Sequence, residues 1–317
     1  MVEDKVLIDA IEEELSSVKG SLRAPGLYEP IAFTLGAGGK HLRPLMCLRA
    51  CEALCSESLR SINQAVGLEM FHNFTLIHDD VMDGSDMRRG LPTVFAKNGA
   101  TQAILSGDAL LTLATKRVAN TENPSILPQI LNLFNTTALE VYEGQQLDIN
   151  FESRNDVTTD EYLEMIRLKT SVLLGCSCAM GALVADRPET AKPLYAYGEK
   201  LGLAFQLRDD WLDTFGDAAS FGKPIGGDII NRKKTWLFIT ALNEAPKDMA
   251  EALDCPDNMV VERVRTVYNK LNLSQRCDNM VQELCNNAIE ALAEANLPQQ
   301  SYKWFENLAQ KLNTRQK

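Results

Sequence analysis

The 317-residue sequence is poor in the groups that support nucleophilic or transition-metal chemistry: it has three histidines, His41, His72 and His78, and none of its eight cysteines falls in a C-x-x-C pair. Zinc cages and disulfide frameworks are therefore not expected, and the cysteines read as reduced thiols. Cys47, Cys51 and Cys55 recur four apart, the spacing of small packing residues on one helix face. Basic character is also scarce. A formal net charge of -11 leaves no broad face to displace counterions from nucleic acid. Residues 1–19 lack the basic and apolar regions of a signal peptide, so a cytoplasmic protein is expected. The uncharged, strongly apolar stretch 170–185 is shorter than a membrane span and contains Ser, Gly and Cys, so it reads as a buried core helix rather than a transmembrane segment. No Gly/Ser-rich linker and no fixed-period repeat interrupts the chain, which points to one domain over 1–317.

What the sequence does have is helical periodicity. Apolar residues recur at three- and four-residue intervals nearly throughout, and no alternating run flanked by hairpin turns stands out. The fold class is all-α, with helices expected at 3–19, 26–36, 40–57, 59–83, 100–120, 124–151, 158–185, 189–216, 231–243, 257–271, 274–295 and 299–313. Breaks fall at 36–39, 89–92 and 222–227, where Gly and Pro cluster, and Asp156 to Asp160 offers capping residues.

Two helices are apolar nearly all round and end in acids. Residues 65–78 lead into Asp79-Asp80-Val81-Met82-Asp83, and 201–207 lead into Arg208 and Asp209-Asp210-Trp211-Leu212-Asp213. Acids four apart share a helix face and repel. Burying such a pair is costly unless a cation compensates. Mg²⁺ suits an all-oxygen donor set and bridges carboxylates to phosphates. A lone cluster of this kind would be an ordinary solvated face, but its repetition in apolar settings favours a site. Along the first face lie His72 and Thr75, and along the second Gly202 and Gln206.

Basic residues accompany each cluster. Arg88 and Arg89 follow the first, Lys223 and Lys233 follow the second, and Lys40 and Arg43 open an earlier helix, where they are expected to point the same way from its N-terminus. Lys169 and Thr170 add a donor pair inside a mostly apolar helix. Together they supply contacts for about two diphosphates in a chain that is otherwise acidic.

In order along the chain stand GGKHLRP at 38–44, FHNFTLIHDDVMD at 71–83, RRG at 88–90, GQQLD at 144–148, KT at 169–170, FQLRDDWLDTFGD at 205–217 and GKPIGGDI at 222–229. This set resembles the trans-isoprenyl diphosphate synthases, the family of farnesyl and geranylgeranyl diphosphate synthases, over almost the whole chain. The resemblance implies a single-domain helical bundle around a deep central cavity, usually homodimeric. It implies condensation of an allylic primer (dimethylallyl, geranyl or farnesyl diphosphate) with isopentenyl diphosphate, without a protein nucleophile. Asp79, Asp83 and Asp209, supported by Asp80 and Asp213, would hold Mg²⁺, three ions with substrate bound and Mn²⁺ as a substitute. Arg88, Lys169, Thr170, Gln206, Lys223 and Lys233 would grip the allylic diphosphate, and Lys40, Arg43, His72 and Arg89 that of isopentenyl diphosphate.

Product length is expected to depend on a floor below Asp79. Phe74 and Phe71 lie five and eight residues before it, about 7.5 and 12 Å along the axis, whereas Thr75 is small. In the family, aromatics at both the fourth and fifth positions accompany C15 products; the fifth alone resembles archaeal-type C20 enzymes. The expectation is geranylgeranyl diphosphate, with farnesyl diphosphate next. A class I terpene cyclase needs no second diphosphate pocket, a metal phosphohydrolase would need more histidines, and a non-catalytic partner subunit would not require both acid clusters intact.

Overall fold

The computed structural model describes residues 1–18, 24–216 and 225–313. Within them the chain forms α1 (Asp4–Ser16), α2 (Pro25–Leu35), α3 (Leu42–Cys55), α4 (Ile62–Met82), α5 (Val94–Asn98), α6 (Ala100–Val118), α7 (Leu127–Glu152), α8 (Thr159–Ile166), α9 (Val172–Val184) and α10 (Pro188–Phe215). Beyond these come α11 (Gly227–Ile230), α12 (Trp236–Glu244), α13 (Pro246–Leu253), α14 (Asp257–Lys270), α15 (Leu273–Ala293) and α16 (Gln299–Asn313). The all-α expectation holds, with one addition. Met87–Arg88 (β1) and Leu91–Pro92 (β2) pair antiparallel, Arg88 opposite Leu91. Arg89 and Gly90 at the tip both have positive φ, 52° and 76°, the signature of a tight hairpin turn that matches strand twist. Two-residue strands are too short to show alternation, which is why the sequence pattern misses them. The short helices α5, α11 and α13 were likewise not anticipated, and α12 begins at Trp236 because Thr235 caps it, accepting from Phe238 N–H. Ahead of α8, Thr158 and Glu161 form a reciprocal capping box.

The chain divides into two compact units, Met1–Asn135 with Cys176–Lys192, and Thr136–Gly175 with Pro193–Lys317. In the first unit α4 is central. Ala65, Val66, Leu68, Met70, Phe71 and Ile77, spread round its circumference, are all buried, as an apolar all-round helix requires. Gln64 on the same helix is buried and donates to the carbonyls of Val118 and Asn120 at 3.1 and 2.9 Å, closing the C-terminal end of α6. Cys47 and Cys51 are fully buried in α3, the small packing role expected of them. In the second unit Tyr197 donates to the Phe305 carbonyl at 2.7 Å, and Arg208 donates to Asp278 at 2.6 Å and to the Asn313 carbonyl at 3.0 Å, tying α10 to α15 and α16. The helical stretch Thr159–Val184 is the one among the described residues long and apolar enough to cross a membrane, and it is largely buried, as a core helix is.

Candidate active site

The first acidic cluster closes α4. Asp79 and Asp80 occupy its last turn, and Asp83 is the C-cap, its N–H donating to the Asp79 carbonyl at 2.8 Å. Asp79 is half-buried and Asp83 exposed, whereas Asp80 turns inward and is buried. The hairpin folds back so that Arg88 Nε donates to Asp80 Oδ1 at 2.8 Å. Burial raises the Asp80 pKa, Arg88 opposes that, and neighbouring Asp83 adds to it. Asp80 and Arg88 are thus held by each other.

At the tip of the same hairpin Arg89 Nη1 donates to the Gly38 carbonyl at 2.6 Å, joining the turn that leads into α3. Here the helical i, i+3 expectation for Lys40 and Arg43 fails. His41 is the N-cap with φ 42° and ψ 38°, left-handed, so Lys40 lies before the helix and Arg43 inside its first turn. Nothing in local composition marks that onset, because the backbone reversal depends on a distant partner of His41. Arg43, Arg89 and Arg88 nevertheless share one neighbourhood with half-buried His72, whose pKa is driven well below 6.5, first by burial and then by those three guanidiniums in that order. At neutral pH this histidine is uncharged and can donate or accept a hydrogen bond.

The helix expected over 158–185 is continuous but widens, in the part that belongs to the second unit, into a π-helical segment, Arg167–Ser171, that carries Lys169 and Thr170. Such bulges need room beside them and often mark functional sites. The room comes from two glycines. A Cβ on Gly144 of α7 would stand 2.3 Å from the Lys169 backbone nitrogen, and one on Gly202 of α10 2.5 Å from Ser171 Cα. Lys169 Nζ donates to Asp148 Oδ2 at 2.6 Å. Thr170 Oγ1 donates to Gln206 Oε1 at 3.3 Å, and Gln206 Nε2 donates to Asp210 Oδ1 at 3.0 Å. The other Asp210 oxygen accepts the Tyr162 hydroxyl. Asp210 is buried and its pKa is pushed up to about 7, chiefly by desolvation and then by Asp228, against Lys233. Asp209 and Asp213 are half-buried, and Asp213 Oδ2 accepts the Asp228 N–H at 2.9 Å. Lys223 lies outside the described residues.

Asp148, Tyr162 and Asp228 were given no role from sequence. Asp148 and Asp228 sit within motifs quoted above, where an acid near a mid-helix lysine or a second acid cluster was an available signal. Tyr162 is 48 residues from Asp210, and nothing local announces the pair.

Below Asp79 the aromatics form a chain. Phe71 is fully buried and meets Phe134 edge-on at 5.3 Å, Phe74 is 5.6 Å from Phe71, and its ring lies 4.7 Å from that of His78. Thr75 turns its hydroxyl to the His72 carbonyl at 2.8 Å. Among the described residues no group of three or more His, Cys, Asp or Glu converges as a metal cage. Each pair of carboxylates taken by itself, Asp79 with Asp83 and Asp209 with Asp213, has the all-oxygen chemistry that would suit Mg²⁺, which takes one or two carboxylates and leaves its other positions to water and phosphate.

A family model for polyprenyl synthetase matches residues 24–271. The chain is 40% identical over 242 residues to a geranylgeranyl diphosphate synthase of Methanosarcina mazei, covering 76% of this chain and 74% of that one. It is 38% identical over 254 residues to a short chain isoprenyl diphosphate synthase of Methanocaldococcus jannaschii, covering 80% and 77%. A solved structure of a geranylgeranyl pyrophosphate synthase is similar over the full length of both chains, with TM-score 0.92 and 37% identity. Motif order, helical architecture and these likenesses agree: the chain belongs to the polyprenyl synthetase family, has its all-α isoprenoid synthase fold, and is a prenyltransferase.

Proposed function

We propose that the enzyme joins an allylic diphosphate to isopentenyl diphosphate with release of pyrophosphate, and that its main product is geranylgeranyl diphosphate. The observation that carries this reading is the cationic neighbourhood of Arg43, Arg88 and Arg89 around the neutral imidazole of His72, beside an acid cluster on the same helix as that histidine. A cyclase handling one diphosphate has no use for a second cationic set.

The family is generally Mg²⁺-dependent. Asp79, Asp83, Asp209 and Asp213, with Asp80 in support, would hold up to three ions, with Mn²⁺ an acceptable substitute. Bound there, Mg²⁺ would neutralise charge on the departing pyrophosphate. Arg88, Lys169, Thr170, Gln206, Lys223 and Lys233 orient the allylic diphosphate; of these Lys169 is already held by Asp148 and Thr170 by Gln206, and donors positioned before reaction cost little to reorganise. Lys40, Arg43, His72 and Arg89 hold isopentenyl diphosphate so that its double bond meets the allylic carbon. The apolar side of α4 keeps water from the allylic cation. No side chain is required as nucleophile.

Phe74, with Thr75 leaving space above it, acts as the floor that sets a C20 product, and Phe71 supports it from below. The names of the relatives agree with that length. We place the enzyme in the cytoplasm as a homodimer, for which exposed Ile104 and Leu105 on α6 offer apolar surface. Incubation with isopentenyl diphosphate, Mg²⁺ and C5, C10 or C15 primers, followed by product sizing, tests the reading. Growth to C20 is expected; growth that stops at C15 overturns the length, and no pyrophosphate release with any primer overturns the activity.

A further inference from the structure

Glu69 and His41 are both buried, at 4% and 5% exposure, and neither belongs to the acid clusters or to the diphosphate-binding set. Glu69 lies on α4, one turn before His72, and its Oε1 is 2.9 Å from His41 Nδ1. The other imidazole nitrogen faces Glu12 of α1 at 3.6 Å. His41 takes the left-handed conformation without any side-chain cap of α3. For a residue with a β-carbon that conformation is disfavoured and persists only when the surroundings impose it. A buried carboxylate likewise needs a partner. Each side chain therefore answers the other's need. The His41 pKa is raised, foremost by its bond to Glu69 and against its burial; the charges of Glu69 and Glu12 add to this and Arg89 opposes.

His41 stands between Lys40 and the helix that carries Arg43. The turn is tied at two points, at the Gly38 carbonyl by Arg89 and at His41 by Glu69. We infer that Glu69 is a positioning residue for the isopentenyl half of the reaction: through His41 it fixes the turn that aims Lys40 and Arg43, given that these two bind the diphosphate as proposed above. Glu69 itself touches no substrate in this role.

Steady-state kinetics of the full-length enzyme with each substrate varied in turn test it. Glu69→Ala is expected to raise the isopentenyl diphosphate KM about tenfold. Its kcat and allylic KM should stay within about twofold of the parent, a split that general loosening of the fold would not give. Glycine adopts the left-handed conformation without support. In a His41→Gly background, adding Glu69→Ala should therefore cost less than about threefold, because the residue that Glu69 restrains is gone. If Glu69→Ala does not fold, Glu69→Gln is read in the same way. An effect undiminished in the His41→Gly background, an equal effect on both substrates, or no effect overturns the inference. Lys40→Ala and Arg43→Ala separate the two levels. If neither raises the isopentenyl KM, the substrate assignment has failed and the role of Glu69 with it; if they raise it and the Glu69 variant does not, only the role of Glu69 is overturned.

Discussion

Lys169 in the π-helical segment donates to Asp148 of α7 at 2.6 Å, so the lysine proposed for the allylic diphosphate is already aimed by a carboxylate. Asp148→Asn keeps a hydrogen-bond acceptor but removes the charge. The allylic KM is expected to rise about three- to tenfold, with the isopentenyl KM unchanged, in initial-rate measurements of pyrophosphate release.

Gly144 and Gly202 leave the space in which the π-helical segment sits. Gly144→Ala or Gly202→Ala forces a methyl group into backbone atoms and should cost about 1–3 kcal/mol. Chemical denaturation measures this cost. Activity should fall by more than the lost stability accounts for, because Lys169 and Thr170 move with the segment. Full activity in a destabilised Gly202→Ala enzyme would argue against a positioning role for the bulge.

His72 and His41 act on stability with opposite signs. The folded-state pKa of His72 lies well below 6.5, so under mildly acidic conditions the unfolded chain binds a proton that the folded chain refuses. Its contribution is intact above about pH 6.5 and is lost as pH falls below that. His41, with a raised pKa, contributes fully below about pH 6.5 and loses its contribution as pH climbs through its folded value. Thermal melts from acid to neutral pH should show His72→Gln flattening the acid limb; an unchanged limb would rule out His72 as its source.

Phe74 and Phe71 should part company when truncated. Phe74→Ala is expected to lengthen the product beyond C20, since its ring is the upper one of the aromatic chain, and to cost stability as well, since that ring is buried. Phe71→Ala, fully buried against Phe134, should cost about 3–5 kcal/mol and leave product length unchanged. Chromatographic sizing of products and melting temperatures decide both.

Much of this molecule is legible before any coordinates. The apolar runs that end in Asp79 and Asp209 do form buried helices, because periodicity over ten or more residues outweighs local detail. Contacts made at long sequence separation escape that reading. Lys40 looks like the first residue of a helix until His41 is seen bonded to Glu69, 28 residues on. The widened turn at Lys169 cannot be read from its own residues, since the space for it comes from glycines on two other helices. The charge of Arg88 and its place beside an acid cluster are plain in the sequence; its bond to Asp80 is not, because it depends on a hairpin too short to leave a pattern.

That hairpin also sets a counting problem for the chain. Two arginines adjacent in sequence have separate destinations, Arg88 at the Asp80 carboxylate and Arg89 at the Gly38 carbonyl, and the reversal at Arg89-Gly90 is what sends them apart. One residue gained or lost before the tip would exchange their directions and deprive both partners at once. Exposed Met87 and Leu91 can change identity at little cost, whereas the number of residues between Asp83 and Gly90 cannot. In this segment spacing, more than composition, sets which partner each arginine reaches.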